Sequence, residues 1–457
     1  MALNAIFWGC QIPARYPFIE KSLRRVFEEL EIQIIDIDGF TCCPERALIG
    51  NMSEEVWYLT AARNLAVARK NAGKPLTLIQ ACNGCFSTLK KVKEDLDHDL
   101  EIRKKVNKGL GHIGLHYEGG VDVKHIVEFL HDVIGADTIK NRVKSSLNGL
   151  KIAVHPGCHM TRPSSAIEFD DPLVPKKFDQ LIKSLGATNV NYPSKMLCCG
   201  GELTNIGNMD EGFAVTRQKL IETTRLNVDA LAVACPNCFK QFDNQQFLMQ
   251  RNGEEFEIPV FYVSELLGLA LGIDPKELGL EGHRINTESF FKRWNEEKEK
   301  AGKVKEYFDL EALRKCYECR ACLDDCPSVK LLDKYDPVTI MGKVLDGKIE
   351  EAMEDNAIWE CLECHTCSEL CPQGFGMEKV FTTLKHFAGE KGKRPAPAKK
   401  GIEMFEKTSK IGEPSKAQRK KFNLPDTPSS GFEDWKKMIE AIRSKKENEG
   451  DEILNEP

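Results

Sequence analysis

The eighteen cysteines constrain this chain most, because every one of them falls into one of four regularly spaced sets. Two sets have the spacing C-x2-C-x2-C-x3-C followed by proline: Cys316, Cys319, Cys322 and Cys326, then Cys361, Cys364, Cys367 and Cys371. Two have the order C…CC…C-x2-C: Cys10, Cys42, Cys43, Cys82 and Cys85, then Cys158, Cys198, Cys199, Cys235 and Cys238. A chain that commits every thiol to a ligand set is typical of iron–sulfur proteins.

Composition narrows the class of protein. The 457 residues predict two to four domains, and the net charge of −6 disfavours nucleic acid as a partner. No secretory signal precedes Cys10, so we expect reduced thiols and a cytoplasmic location rather than disulfides. The longest apolar stretch, 262–273, is interrupted by Ser264 and Glu265, so we predict no membrane span.

The first 280 residues contain an internal repeat. Apolar runs at 3–8 and 151–155 end just before Cys10 and Cys158, and a helical pattern follows each. Further strands are predicted at 32–37, 76–80, 188–192 and 229–234, with long helices at 53–72 and 209–227. Both C-x2-C pairs open a helix. Alternating strands and helices predict parallel sheets with the cysteines at the carboxyl ends of strands, where open α/β sheets build their sites.

The remaining segments are predicted from their composition. Helical stretches are expected near 122–133, 136–147 and 341–353, and a linker helix within 282–310. Beyond 390 the chain is polar, proline-rich and basic, which predicts a partly disordered tail with one amphipathic helix at 435–442. We therefore predict two α/β cysteine-rich domains followed by a mostly helical ferredoxin domain and the tail. The predicted boundaries are 1–148, 149–281, 282–390 and 391–457.

The two C-x2-C-x2-C-x3-C-P sets are the ferredoxin motifs. In such motifs three cysteines hold one [4Fe–4S] cubane and the fourth holds the other cluster. One cluster is thus expected on Cys316, Cys319, Cys322 and Cys371, and the other on Cys361, Cys364, Cys367 and Cys326. Two zinc sites are disfavoured, because zinc usually takes paired C-x2-C motifs separated by a longer loop. His365 is interpreted as an exposed residue and not a ligand.

The two five-cysteine sets offer more thiols than a cubane or a zinc ion needs. Neighbouring thiolates such as Cys42 and Cys43 allow one sulfur to be shared between two irons. The alternative is a four-cysteine zinc or cubane site with one spare thiol. Ligand chemistry alone leaves both interpretations open.

Both halves of the repeat resemble the CCG cysteine-rich domain found in the B-type subunit of heterodisulfide reductase, and residues 311–390 resemble its C-type subunit. All ten cysteines are present in order, within CCPE at 42–45 and CCGG at 198–201. The chain differs from the family in placing the B-like part first and in having Pro44 where the motif has glycine. The resemblance implies a noncubane [4Fe–4S] cluster on each five-cysteine set, with a disulfide such as CoM-S-S-CoB reduced between them. The two cubanes would deliver the electrons.

The resemblance also implies partners: a flavin-containing protein like the A-type subunit of heterodisulfide reductase, electron-input subunits such as a hydrogenase or formate dehydrogenase, and a small disulfide or thiol substrate. Two other functions are considered. The chain could be an electron relay without a substrate, or the iron–sulfur subunit of a hydroxy-acid or glycerol-3-phosphate dehydrogenase. The complete set of ten cysteines favours the first function, because a relay has no need of two five-thiolate sets.

Several polar residues lie near the ligands in sequence. His155 and His159 flank Cys158 and are candidates for proton donors, or for structural histidines. Arg162, Lys195 and Lys240 could attract an acidic thiol substrate, although their interpretation as solvated surface charges is preferred.

Overall fold

The computed structural model describes residues 3–412, 415–427 and 430–448. The chain divides between Lys298 and Glu299 into two compact units.

Two parallel sheets form the centre of the first unit. The strands are β1 (Leu3–Phe7), β2 (Leu76–Gln80), β3 (Val121–His125), β4 (Lys151–His155), β5 (Thr188–Val190), β6 (Ala230–Val233) and β7 (Val260–Tyr262). Their order is β1-β2-β3 in one sheet and β5-β4-β6-β7 in the other, and every pairing is parallel. β2 and β6 are buried along their whole length, as expected for strands covered by helices on both faces.

Helices cover both sheets. They span Gln11–Arg15, Pro17–Glu29, Glu54–Ala72, Asn83–His98, Leu100–Gly111, Ile126–Glu128, Ala136–Asn141, Ser164–Ile167, Lys177–Ser184, Gly201–Asn205, Met209–Arg225, Pro236–Lys240, Gln246–Arg251, Val263–Ala270, Pro275–Leu278 and Glu288–Lys305. Shorter π-helical or 3-10 segments are Arg46–Gly50, Phe129–Gly135, Gln241–Gln245 and Leu280–Gly282. Helix Pro17–Glu29 shows why they form: its apolar residues recur every three or four positions and all turn inward.

The predicted duplication is confirmed, with two local corrections. Segment 32–37 is not a strand, because Ile35 alone forms an isolated bridge with Ala5 at the edge of β1. This bridge occupies the place that β5 occupies beside β4, so both halves share one topology. Residues 121–125 form β3 rather than part of the helix predicted near 122–133.

The two halves share one hydrophobic core and interlock through polar contacts. The hydroxyls of Ser22 and Ser264 share a hydrogen bond of 2.6 Å. The hydroxyl of Tyr262 donates to the carbonyl oxygen of Ala81, and Asn83 Nδ2 donates to Pro156 O at 2.8 Å. Ala81, Asn83 and Pro156 lie within two residues of Cys82 or Cys158, so the last two contacts fix one half against the other beside the site.

The predicted linker helix begins as part of the first unit. Helix Glu288–Lys305 buries Phe290 (1% exposed) and Trp294 (4% exposed) in that unit's core. Trp294 Nε1 donates to the carbonyl oxygen of Ser146 at 2.9 Å. The first half of this helix is therefore a structural element of the cysteine-rich unit.

The described part of the second unit is helical. Its helices are Leu310–Cys319, Pro327–Leu331, Pro337–Leu345, Ile349–Glu354, Thr366–Glu369, Glu378–Glu390, Ala396–Thr408, Lys416–Lys421 and Phe432–Asn448, with 3-10 segments at Leu323–Asp325 and Asn356–Glu360. The helix predicted at 341–353 is two helices, separated where Gly347 has a φ of +70°. Residues 449–457 of the predicted tail lie outside the described residues. Among the described helices, none is long and apolar enough to cross a membrane.

Candidate iron–sulfur sites

All ten cysteines of the duplicated unit line one cavity of about 170 Å³. The other lining residues are Trp8, Gln11, Glu45, Asn83, Gly84, His159, Glu202, Asn205, Pro236 and Asn237. The cavity lies where the strands of both sheets end, so the two five-cysteine sets meet in one place.

Strand ends and helix starts deliver the thiols. Cys10 follows β1 and Cys158 follows β4, while Cys82 and Cys235 stand directly before helices Asn83–His98 and Pro236–Lys240. Cys85 then lies in the first turn of its helix, as Cys238 does in the second half. Thiols at the N-terminus of a helix are favoured as thiolates, since unpaired backbone N–H groups and the helix dipole point toward them.

Within each set the sulfurs are close neighbours. Cys10 Sγ and Cys42 Sγ are 3.8 Å apart. In the second half, the N–H of Gly200 donates to Cys198 Sγ and the N–H of Gly201 to Cys199 Sγ, both at 3.4 Å. In each adjacent pair one thiol is exposed and the other buried, Cys42 beside Cys43 and Cys198 beside Cys199.

The crowding of thiols decides what the sets can hold. Hydrogen bonding to Cys42, burial and the charge of the neighbouring sulfurs raise the pKa of Cys10 far above its usual value. Hydrogen bonds to Cys43 and Cys82, together with burial, likewise raise the pKa of Cys85. The thiols cannot all ionise beside one another unless positive charge lies among them. Soft, crowded sulfur donors that need a multiply charged cationic centre fit an iron–sulfur cluster.

The two sets touch each other. The largest influence on the pKa of Cys82 is its hydrogen bond with Cys235, which raises it. Hydrogen bonds with Cys238 and Cys82 hold the pKa of Cys235 well below its usual value, and the backbone N–H of Asn83 adds to this effect. The C-x2-C pairs of the two halves are therefore adjacent.

The two histidines near Cys158 have different surroundings. His159 lines the cavity. His155 is fully buried behind it, where one ring nitrogen lies within 4.8 Å of the sulfurs of Cys199 and Cys238. Burial lowers the pKa of His155 to about 3, so its ring is neutral.

The three cations noted in the sequence do not line the cavity. The interpretation as solvated surface charge is wrong for Lys195, which is buried and pairs with Asp179 at 2.6 Å. Arg162 donates to the carbonyl oxygen of Met196 at 2.8 Å. Lys240 is half-buried and reaches the cavity indirectly, by donating to Asn205 Oδ1 at 2.7 Å.

The second unit brings its eight cysteines together as two groups. Cys326 lines a small cavity with Cys361, Cys364 and Cys367, the set expected from the ferredoxin pattern. Burial raises the pKa of Cys316 to about 12, and the charges of Cys322, Cys371 and Cys319 add to that effect. His365 has a largely exposed side chain, as expected.

Sequence reasoning missed the residues that dock the halves. Asn83 carried a signal, because it stands inside a C-x2-C motif. Tyr262 carried none, because its role depends on a carbonyl 181 positions away in sequence.

Comparison with known proteins agrees with this architecture. The cysteine-rich domain family, CCG, matches residues 4–90 and 152–243, and the 4Fe-4S dicluster domain family matches residues 312–375. The chain is 36% identical to the B-type subunit of the ferredoxin/F(420)H(2)-dependent CoB-CoM heterodisulfide reductase of Methanosarcina acetivorans, over 64% of this chain and 96% of that protein.

Two other relatives extend the range of named activities. A protein of Archaeoglobus profundus, named for its likeness to the B-type subunit of heterodisulfide reductase, is 31% identical over 61% of this chain and 93% of its own length. A membrane anchor subunit of 8-methylmenaquinol:fumarate reductase from Wolinella succinogenes is 28% identical over 62% of this chain and 96% of its own length.

One solved structure shares the fold. A hypothetical protein from Helicobacter pylori superposes with a TM-score of 0.50 at 17% identity, covering 62% of this chain and 52% of that protein. Together the duplicated cysteine-rich domains, the dicluster domain and the relatives show that the chain is part of an iron–sulfur oxidoreductase, and it belongs to the family of B-type heterodisulfide reductase subunits.

Proposed function

We propose that this chain reduces a small disulfide to two thiols, or oxidises two thiols in reverse, within a cavity shared by two noncubane [4Fe–4S] clusters. The observation that carries the proposal is the single cavity lined by both five-cysteine sets. A substrate inside it would lie beside both sets at once, which two separate relay sites would not require.

The electron count explains why two sets are useful. Reducing one disulfide consumes two electrons and two protons and yields two thiols. When bound, the two clusters supply these electrons, one from each. The chain's own residues hold the clusters and shield the bond: the first set through Cys10, Cys42, Cys43, Cys82 and Cys85, and the second through Cys158, Cys198, Cys199, Cys235 and Cys238.

Protons need a titratable group at the cavity. His159 lines it, whereas His155 is buried and neutral. The carboxylates of Glu45 and Glu202 also line the cavity. His159 is the residue proposed to pass a proton to a product sulfur, because imidazole is the side chain that usually exchanges protons near neutral pH.

The ferredoxin cysteines are proposed to hold two cubane clusters that pass electrons singly to the cavity. Cys316, Cys319, Cys322 and Cys371 would hold one, and Cys361, Cys364, Cys367 and Cys326 the other. As in the family, the donor would be a flavin-containing protein of the A type, fed by a hydrogenase or formate dehydrogenase, in the cytoplasm. The substrate proposed first is CoM-S-S-CoB, since relatives are named for the CoB-CoM heterodisulfide.

The test uses the full chain purified without oxygen. Four [4Fe–4S] clusters predict about sixteen irons per chain and negligible zinc. Dye-reduced protein should reduce CoM-S-S-CoB or another small disulfide, and the product thiols should alter the EPR signal of a cluster in the cavity. Stoichiometric zinc with about eight irons would exclude the noncubane clusters. If no disulfide or thiol tested changes the EPR spectrum or the redox state of fully loaded protein, the result would indicate the relay function instead.

A further inference from the structure

A buried lysine lies beside the second five-cysteine set. Lys219, on helix Met209–Arg225, is 1% exposed, and its ammonium donates a hydrogen bond to the carbonyl oxygen of Ser194. Its nitrogen is also 5.5 Å from the centre of the Tyr192 ring. A buried ammonium is costly unless an anion compensates it.

With a cluster bound, the thiolates of the second set would supply the compensating negative charge. Among the described residues, no carboxylate lies within ion-pair distance of Lys219. The charge of Glu222, one turn along the helix, also raises the pKa of Lys219. However, Glu222 Oε2 accepts hydrogen bonds from both the N–H (2.7 Å) and the hydroxyl (2.5 Å) of Ser194. Burial lowers the pKa of Lys219 to about 8, while the negative charges of Cys199 and Cys238 raise it. The negative charge of a cluster and its thiolate ligands would favour the cationic form of this side chain.

On the matching helix of the first half, the buried polar side chain near the cysteines is neutral. On helix Glu54–Ala72 the fully buried polar side chain that reaches the double-cysteine loop is Asn64. Its Oδ1 accepts from the N–H of Thr41 and its Nδ2 donates to the carbonyl oxygen of Cys42, both at 2.9 Å. This amide bonds the loop as Thr216 bonds the carbonyl oxygen of Cys199 in the second half, and it adds no charge.

The strands that precede the two sets also differ in polarity, and the second set again has the more polar neighbour. His155 stands three residues before Cys158, and Phe7 stands three residues before Cys10. A polar imidazole therefore borders the second set where a phenyl ring borders the first. Positive charge and polar neighbours near an iron–sulfur cluster favour its reduced, more negative state, whereas apolar surroundings disfavour it.

We propose that Lys219 makes the cluster of the second set the more easily reduced of the pair, so that the first electron to arrive is held beside Cys158, Cys198, Cys199, Cys235 and Cys238. A second electron would then be taken up at the first set, and the two electrons with two protons would convert one disulfide into two thiols. Lys219 would change the reduction potential of the cluster without contacting the substrate, so it is a positioning residue and not a catalytic one. The proposal rests on the proposed function, because it requires a cluster on each five-cysteine set.

The experiment is an anaerobic redox titration of the full, iron-loaded chain followed by EPR. Wild-type protein should show two separate midpoints for the cavity clusters. In Lys219→Met the higher midpoint should fall by about 59 mV or more, which is a tenfold loss in the one-electron reduction equilibrium. Lys219→Arg, which keeps the charge, should restore most of it. Thr216→Val is the matched control, because Thr216 is buried on the same helix and bonds the carbonyl oxygen of Cys199 without carrying charge.

A second measurement does not depend on substituting a buried lysine. Cys158→Ser should alter the signal of higher midpoint, and Cys10→Ser the signal of lower midpoint. The reverse order, a midpoint that is unchanged in Lys219→Met, or an equal shift in Thr216→Val would each overturn the proposal. Protein that lacks the cavity clusters when fully loaded with iron would instead overturn the proposed function, and iron content distinguishes the two failures.

Discussion

Cys43 and Cys199 are the buried members of the two adjacent cysteine pairs, at 3% and 5% exposed, and their neighbours Cys42 and Cys198 are exposed. When a substitution removes a buried thiolate ligand, water cannot take its place, so the cluster would lose that ligand. We therefore expect Cys43→Ser and Cys199→Ser each to reduce disulfide turnover by at least a hundredfold. The measurement is dye-driven disulfide reduction alongside EPR.

The ferredoxin signals serve as the internal control for this pair of variants. Their cysteines lie in the other compact unit, so these signals should keep their wild-type intensity. If turnover survives either substitution, one five-cysteine set is sufficient. That result would contradict the proposal that both sets act on one disulfide.

His283 provides a pH-dependent contribution to stability. Its buried ring is packed against Phe18, Phe239 and Phe261, and its Nε2 is 2.9 Å from Glu265 Oε1. Burial lowers the pKa of His283, but the charge and hydrogen bond of Glu265 outweigh burial and leave it above the ordinary 6.5. The folded state therefore binds the proton more tightly than the unfolded state. The stabilisation is complete below pH 6.5 and is lost as pH rises through the folded pKa.

The corresponding measurement is thermal unfolding between pH 6 and 9. The wild-type midpoint should fall across the alkaline part of this range more steeply than that of His283→Gln, which lacks the titrating group. His98→Gln is the control, because the His98 side chain is 78% exposed and the variant should follow the wild-type profile. Identical profiles for His283→Gln and wild type would contradict the assigned charge of the pair.

At the scale of elements, the sequence predicted most strands and helices but not their ends. Segment 32–37 has the apolar residues of a strand, yet it lies at the edge of β1 and pairs through Ile35 alone. β3 was hidden because His125 ends the strand and caps the next helix, so no turn residue separates the two patterns. The periodicity of apolar residues indicates which side chains face the core, whereas strand pairing depends on which other strand lies alongside.

Helix Leu310–Cys319 allows a prediction at the same scale, since it carries Cys316 and Cys319. Its cap, Asp309, accepts hydrogen bonds from the N–H groups of Glu311 (2.9 Å) and Ala312 (3.0 Å). Asp309→Ala should destabilise the helix by about 0.5–2 kcal/mol, because both donors lose their partner. We expect faster loss of the ferredoxin cluster in chelator, measured by the decay of visible absorbance.

Glu311→Ala is the matched control for the cap. Glu311 is in the first turn of the same helix, and its exposed pair with Lys315 contributes little to stability. If both variants lose the cluster at the same rate, the cap does not position Cys316.

For the whole molecule, the cysteine spacing predicted the members of each set but not that two sets share a cavity. That arrangement depends on contacts such as Tyr262 with Ala81 and Ser22 with Ser264, which join residues far apart in sequence. No periodic pattern marks such contacts, since each is a single polar residue in an apolar setting. The duplication supplied equivalent halves, and these contacts determine how they dock.

The two compact units predict that the cysteine-rich part can be isolated, provided that it is cut at the right residue. A fragment ending at Lys298 keeps Phe290 and Trp294, which are only 1% and 4% exposed in the first core. A fragment ending at residue 281 loses both side chains, and the Trp294 hydrogen bond to Ser146 with them. Removing buried aromatic residues costs about 3–5 kcal/mol each. The longer fragment should therefore unfold at a clearly higher temperature.

The longer fragment also separates the cavity from the ferredoxin cysteines. It retains ten of the eighteen cysteines and should hold about eight irons, half the content expected of the whole chain. It should reduce a disulfide with an artificial dye as donor, because both five-cysteine sets and their cavity are intact. Electrons from the physiological donor should no longer reach it, since the cubane sites are gone. Undiminished activity with that donor would mean that electrons enter the cysteine-rich unit directly, and the ferredoxin domain would need another role.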